Sequence, residues 1–404
     1  MGLRLLAPVL CALVLSIAAC GKGGESGGGG GGNTVQLGAA LSLTGSLSRE
    51  GILTKQGYEI CKQQVNAKGG IPVGGQKKKL AITYKDDKSE PDTAAQLTDQ
   101  FNDDGVKLIL GPYGSSSTEA AAAVVERNGQ VMVDSAGADD TIFDKGYKRI
   151  FAVLSPATEY TAAIVKAVAD LAKPMPKTVA FLSADDGFSK TAAKGGVAAA
   201  KAAGMQVLGT EFFPEHATDV SSALTKIRDK KPDLIIGSVH VEEGIAIIKQ
   251  SKELGIDPQA FGETVAPPTP DFRKALGKSA DGVLGSTQWT KEVKGRDKYF
   301  GTAKDYAATF QEKFGEEPEY HSAEAAAACL AFALAIEKAG STDADAVRGA
   351  LANMNEQSFF GPITFDSTGK NVTKPMSVIQ IRNGDLVTVW PKNQQEQPMT
   401  WPGV

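Results

Sequence analysis

Short apolar runs alternate with longer amphipathic stretches along most of the chain, and that alternation restricts what it can fold into. Val35 to Leu41 reads as a strand, followed by a helix through Asn66 that Lys68-Gly69-Gly70 stops as a glycine C-cap does. Leu80 to Tyr84, Val106 to Leu110 and Gln130 to Val133 read as further strands. Between them lie helices over Asp92 to Asp103 and an Ala-rich stretch ending at Arg127. The pattern begins again at Ile150 to Val153. Helices over Glu159 to Leu171, Lys190 to Ala203, Val220 to Asp229 and Glu242 to Leu254 then alternate with strands over Thr178 to Leu182, Val207 to Phe212 and Leu234 to Gly237. Such units cross over right-handedly, so two runs divided near residue 154 predict an α/β fold with two doubly wound parallel sheets.

The remaining elements are too few for a third sheet. Gly282 to Ser286, Gly361 to Phe365, Pro375 to Ile381 and Leu386 to Val389 read as strands, with the hairpin signal Asn383-Gly384 before the last. Thr302 to Phe314 and Ala323 to Ala339 read as helices. These pieces must complete the two earlier lobes, so the chain crosses between lobes more than once and forms a hinge. The expected division is 34–154 with 283–355 for lobe 1, 155–282 with 356–392 for lobe 2, and 393–404 as a tail. A length of 404 residues suits two domains. Ligands in such folds bind at the carboxyl ends of strands, here in the cleft between lobes.

The N-terminus points to export. Residues 3–19 are apolar apart from Arg4 and Ser16, short for a bilayer span of about 20 residues and preceded by one positive charge as in a secretory signal. The segment ends Ile17-Ala18-Ala19-Cys20-Gly21, and small residues before a cysteine resemble the bacterial lipobox. That resemblance implies a signal peptide over 1–20 and lipidation of Cys20, hence attachment to a membrane. Residues 21–33 are nearly all glycine, a composition that behaves as a flexible tether. Of the other cysteines, Cys11 leaves with the signal, and Cys61 and Cys329 fall on two helices far apart in sequence. Export permits a disulfide between them, but two small buried hydrophobes are the slightly preferred reading.

Several classes are excluded. The net charge is -4, and the longest basic run, Lys77-Lys78-Lys79, reads as a solvated strand edge, so no nucleic-acid partner is expected. Gly277-Lys278-Ser279 ends like a P-loop, but Phe272 stands where its first glycine is required. His216, His240 and His321 are scattered, with no C-x-x-C or H-E-x-x-H, so no metal or cofactor is expected. No G-x-S-x-G elbow is present, and the chain is read as no enzyme.

Several stretches carry a family resemblance: Gly38 to Gly45 (GAALSLTG), Asn66 to Ile71 (NAKGGI), Gly111 to Thr118 (GPYGSSST), Tyr320 to Ala325 (YHSAEA) and Gly361 to Asp366 (GPITFD). In that order and spacing, residues 34 to about 390 resemble the leucine/isoleucine/valine-binding proteins of bacterial ABC importers, which have a type I periplasmic-binding-protein fold. The resemblance implies an extracytoplasmic, monomeric receptor that closes on a small, aliphatic amino acid and is read by ABC permease subunits. The same scaffold serves aromatic acids, amides or urea, or a sensor.

Ser115 follows a strand and opens a helix, where free N–H groups and the helix dipole attract anions. The family places the ligand carboxylate here, with Ser115 at the key serine and Tyr113 in the same loop. Ser116 with Glu119 also fits a capping box, and both roles stay open. Ala136 matches a position whose carbonyl meets the ligand, and Ala138 stands where the family has a contacting threonine. Phe188 matches an aromatic that closes over the ligand, or serves as a helix staple. His240 lies past the strand Leu234 to Gly237 at an aromatic contact position. Glu263 matches an acidic partner for the ligand ammonium. Trp289 lines the cleft or anchors the hinge.

Overall fold

The computed structural model describes residues 32–403. The expected signal segment, Cys20 and nearly all of the 21–33 tether lie outside the described residues.

In chain order, lobe 1 begins with β1 (Thr34–Leu41), α1 (Ser48–Ala67), β2 (Ile71–Val73), β3 (Gln76–Asp86), α2 (Pro91–Asp103), β4 (Leu108–Leu110), α3 (Ser115–Asn128), β5 (Val131–Asp134), the short α4 (Asp140–Phe143) and β6 (Ile150–Ala152). Lobe 2 follows with α5 (Thr158–Leu171), β7 (Thr178–Ala184), α6 (Gly187–Ala202), β8 (Gln206–Phe213), α7 (Ser221–Arg228), β9 (Leu234–Ser238), α8 (Val241–Glu253), β10 (Ala260–Glu263), α9 (Pro270–Leu276) and β11 (Leu284–Thr287). The chain then runs through a small ribbon, β12 (Arg296–Asp297) with β13 (Gly301–Thr302), and the helices α10 (Ala303–Phe314), α11 (Tyr320–Ala339) and α12 (Ala344–Ala352). A hairpin of β14 (Asn355–Ser358) and β15 (Gly361–Thr364) precedes β16 (Ser377–Arg382) and β17 (Asp385–Trp390).

The first sheet has the order β2-β3-β1-β4-β5-β6 and the second β17-β16-β11-β10-β9-β7-β8. β4, β5 and β9 are buried at every position, as apolar strands covered by helices on both faces are. Lys77 and Lys79 lie exposed on β3, solvated as their charge predicted, but β2 pairs outside β3 there, so the run is not the edge of the sheet.

Sheet membership moves two expected boundaries. Leu284 to Thr287 were assigned to lobe 1, yet β11 pairs parallel with β10 and antiparallel with β16 inside the second sheet. Residues 356–370 were assigned to lobe 2, yet they stay with lobe 1: the Phe365 ring packs edge-on at 5.2 Å against Phe151, and Ala152 N–H donates to the Gly369 carbonyl at 2.9 Å. Three crossings therefore form the hinge, near Ser155, Gln288 and Lys374. The Gln288 amide accepts from Ser155 N–H and donates back to its carbonyl, while Ser155 Oγ donates to the Lys374 carbonyl. The tail docks on lobe 2 through Gly403 N–H to the Gln259 carbonyl.

The cysteine expectation is overturned. Cys61 and Cys329 form a disulfide between α1 and α11, with Cα atoms 6.1 Å apart. The cause lies one turn earlier on each helix. A Cβ on Gly57 would sit 2.2 Å from the Ser322 carbonyl oxygen and 2.7 Å from Ala325 Cβ. Only glycine permits that approach, and the alanine-rich face of α11 continues it to Cys329. The cross-link closes a 268-residue separation, worth about 5.6 kcal/mol in the chain-entropy account.

Candidate ligand-binding cleft

The carboxyl ends of both sheets face one cavity of about 180 Å³ between the lobes. A single water needs only about 10–15 Å³, so the space suits a small organic molecule. Tyr113, Ser115, Ser116, Ala136, Ala138, Phe188 and His240 all line it.

The lobe 1 wall is built from a helix start and a pinned loop. Gly114, at φ 84°, turns the chain into α3, and no side chain caps that helix. The expected capping box is absent: Ser116 lies inside the first turn and Glu119 pairs with Lys145 instead. First-turn N–H groups and the dipole of α3 thus meet the cleft. Ser115 Oγ accepts the Asp139 N–H at 3.1 Å, which leaves its own proton free to donate. Behind this wall the buried Asp134 carboxylate accepts from Ala136 N–H at 3.0 Å and Gly137 N–H at 2.9 Å, fixing the loop that carries Ala136 and Ala138. Burial pushes the Asp134 pKa up to about 6, against those hydrogen bonds.

The lobe 2 wall is aromatic and charged. Phe188 packs edge-on against Tyr160 at 5.0 Å and against His240 at 5.4 Å. His240 Nε2 lies 3.9 Å from Asp186 Oδ2. Burial alone would lower the His240 pKa, but the Asp186 carboxylate outweighs it and holds the ring at about 9. Asp186 is buried too, which would raise it, yet His240 and Ser189 bring it to about 2. Its Oδ1 caps α6 by accepting the Ser189 N–H at 2.9 Å, while Oδ2 has no hydrogen-bond partner among the described residues. The walls touch through Asp139, whose Oδ1 accepts from Thr191 Oγ1 at 2.8 Å. A Cβ on Gly187 would come within 2.6 Å of Asp139 Oδ2.

Two expected residues do not line this cavity. Glu263 is fully buried behind α8, where a Cβ on Gly244 would lie 2.4 Å from its Oε2. Burial first, and the charge of Glu243 second, hold its carboxyl well above the usual carboxylate range. Trp289 is buried at the hinge: its Nε1 donates to the Phe359 carbonyl at 3.0 Å and its ring packs against Tyr306 at 5.5 Å.

The cavity also draws on Tyr160, Asp186, Glu215, His216, Tyr320, His321 and Glu324, none of which carried an expected role. Asp186 had a readable signal, since it stands at a strand-end loop and caps a helix. Tyr320, His321 and Glu324 lie within a stretch that carries the family resemblance, but nothing in sequence says which face of α11 turns inward.

Residues 34–385 match the family model described as periplasmic binding protein. The leucine-, isoleucine-, valine-, threonine-, and alanine-binding protein of Pseudomonas aeruginosa is 25% identical over 354 residues, 87% of this chain and 91% of its own. The branched-chain amino acid transporter substrate binding protein LivJ of Streptococcus pneumoniae, solved with isoleucine, superposes with a TM-score of 0.75 at 23% identity, covering 87% of this chain and 97% of that one. A solute binding protein of an ABC transporter from R. palustris, solved with benzoate, superposes at 0.73 with 17% identity, covering 88% and 95%. The two-lobed α/β fold is thus of the type I periplasmic-binding kind. Such proteins are extracytoplasmic solute-binding proteins of ABC transporters and not enzymes, and this chain belongs to the periplasmic binding protein family.

Proposed function

We propose that this protein is the importer receptor for an α-amino acid, held by its carboxylate on lobe 1 and by its ammonium on lobe 2. The observation that carries the reading is the pairing of opposite charges across one cleft. The uncapped first turn of α3, with Ser115, suits a carboxylate. On the other wall the ionised Asp186, whose Oδ2 makes an ion pair with His240 but no hydrogen bond among the described residues, can accept one from an ammonium. Asp186 takes the role expected of Glu263. A ligand touching both walls is bound fully only when they meet, so it shifts the population toward closure about the hinge at Ser155, Gln288 and Lys374. The closed lobes are what permease subunits recognise. In this reading the receptor acts as a monomer anchored through a lipid on Cys20, and Cys20→Ser releases it from the membrane fraction.

A second reading, an aromatic carboxylate, is favoured by the rings of Tyr113, Tyr160, Phe188 and Tyr320 around the cavity. A thermal-shift panel of amino acids and benzoates tests both. A ligand at 100 times its Kd stabilises the native state by about 2.7 kcal/mol. A shift with amino acids supports the first reading. Shifts with benzoates alone replace it by the second, and no shift with any carboxylate overturns both.

A further inference from the structure

Two polar side chains at the buried base of the cleft remain without a role in the amino-acid reading. His321 and Glu324 lie at i and i+3 on α11, so they share one face, and both line the cavity at only 1% and 2% exposure. Among the described residues, neither ring nitrogen of His321 has a hydrogen-bond partner, and neither does Glu324 Oε2. Glu319 Oε2 stands 3.6 Å from His321 Nδ1, beyond hydrogen-bond reach. Lys374 faces Glu324 across the hinge, but its N–H groups donate to the Gln288 carbonyl and side-chain oxygen. Burial first, then the charge of Asp134, hold the Glu324 carboxyl well above the usual range, and Lys374 offsets this only in part.

A neutral carboxylic acid both donates and accepts hydrogen bonds, and an imidazole carries at least one N–H in any protonation state. An apolar ligand branch seated here would strand both groups without partners. A charged branch would shed its water in a site that is itself almost fully buried, against a carboxyl whose ionised form burial disfavours. We infer that the ligand carries, besides its carboxylate, an uncharged hydrogen-bonding group, a carboxamide or a hydroxyl, held by His321 and Glu324. The inference rests on the carboxylate reading of the cleft and replaces the aliphatic side chain that the family resemblance implies.

Isothermal titration of the purified protein with near-isosteric pairs tests it: asparagine against leucine, glutamine against methionine, and 4-hydroxybenzoate against 4-methylbenzoate. The polar member of a pair is expected to bind at least about tenfold tighter, since a site built to hydrogen-bond a group rejects its apolar analogue strongly. Glu324→Gln, which still donates and accepts, keeps that preference. Glu324→Leu levels it by weakening the polar member and strengthening the apolar one. Equal or tighter binding of the apolar members overturns the inference while leaving the carboxylate reading in place, as does a preference that survives Glu324→Leu. Binding of none of the six by a protein with native circular dichroism overturns both.

Discussion

Asp186 and Glu263 follow or end two strands of the same sheet, β7 and β10, with only β9 between them. By position alone either could meet a ligand. Their surroundings separate them. Asp186 looks across at His240, caps α6 and stays ionised. Glu263 sits behind α8 beside Glu243, without a hydrogen-bond partner on either oxygen among the described residues, and burial disfavours its ionised form. The carboxyl end of a strand marks where a site is built, but the groups packed around a carboxyl decide whether it can hold a cation there.

The largest expected effect is on binding. Asp186→Asn removes the charge that meets an ammonium, and truncating one member of a desolvated charge pair costs about 2–5 kcal/mol. Amino-acid affinity should fall about hundredfold in a titration. Glu263→Gln should leave it within about threefold. The reverse result would break the comparison and restore Glu263 as the ammonium partner.

Stability should separate the two in the opposite sense. Replacing an unsatisfied buried polar group by an apolar one of similar shape is neutral or stabilising, so Glu263→Met should raise the unfolding free energy by about 1 kcal/mol. Asp186→Met leaves the partly buried His240 without its counter-ion and should lower it by about 2–3 kcal/mol, less than the roughly 3–5 kcal/mol of a fully buried pair. Urea titrations of both variants measure the difference, and destabilisation by Glu263→Met would show that its carboxyl has partners after all.

The pH dependence sharpens this further. His240 has its folded pKa raised from 6.5 to about 9, so its contribution is full below pH 6.5 and is lost as pH rises through about 9. Asp186 is lowered from 3.8 to about 2, so its contribution is full above pH 3.8 and is lost as pH falls toward 2. Glu263 is raised, which makes it a drain on stability that opens above its unfolded pKa of 4.5. Relative to His240→Gln, the wild-type unfolding free energy should therefore decline from pH 6.5 to 9 by an amount on the order of 1–3 kcal/mol, while Lys374, lowered to about 7, acts in the opposite sense in both proteins. His240→Gln should flatten that arm, and Glu263→Met should flatten the slope that starts nearer pH 5. An unchanged slope in His240→Gln would show that Asp186 does not hold the ring.

These contrasts follow the limits of what sequence shows. The two sheets were legible because buried parallel strands such as 108–110 and 234–238 are apolar throughout, and because glycines stop helices where chain direction changes. The first wall was legible too, since Ser115 opens a helix after a strand, a local pattern. Sheet membership of Leu284 to Thr287 was not, because nothing in a short apolar run says which sheet it joins; Leu284 of β11 pairs with Gly262 of β10, 22 residues back, and with Gln380 of β16, 96 residues on. The disulfide was missed for a related reason. Gly57 with Cys61 and Ala325 with Cys329 share a four-residue spacing, but only the packed α1–α11 pair shows that they face each other. Glu263 and His321 failed in the same way: burial and missing partners are tertiary facts.

The smallest expected effect concerns the lobe 1 wall, where no single side chain dominates. Ser115 contributes one hydroxyl, and the α3 N–H groups and dipole contribute the rest. Losing a hydrogen bond to a charged group costs about 1.5–3 kcal/mol at most, and water or neighbouring Ser116 can replace part of it. Ser115→Ala should weaken every carboxylate ligand by about three- to tenfold, without changing the order in which they bind. Asp186→Asn, by contrast, should change that order, because only ligands with an ammonium lose a partner. A reordering by Ser115→Ala would mean that this hydroxyl reads something other than the carboxylate, and the division of labour between the two walls would have to be redrawn.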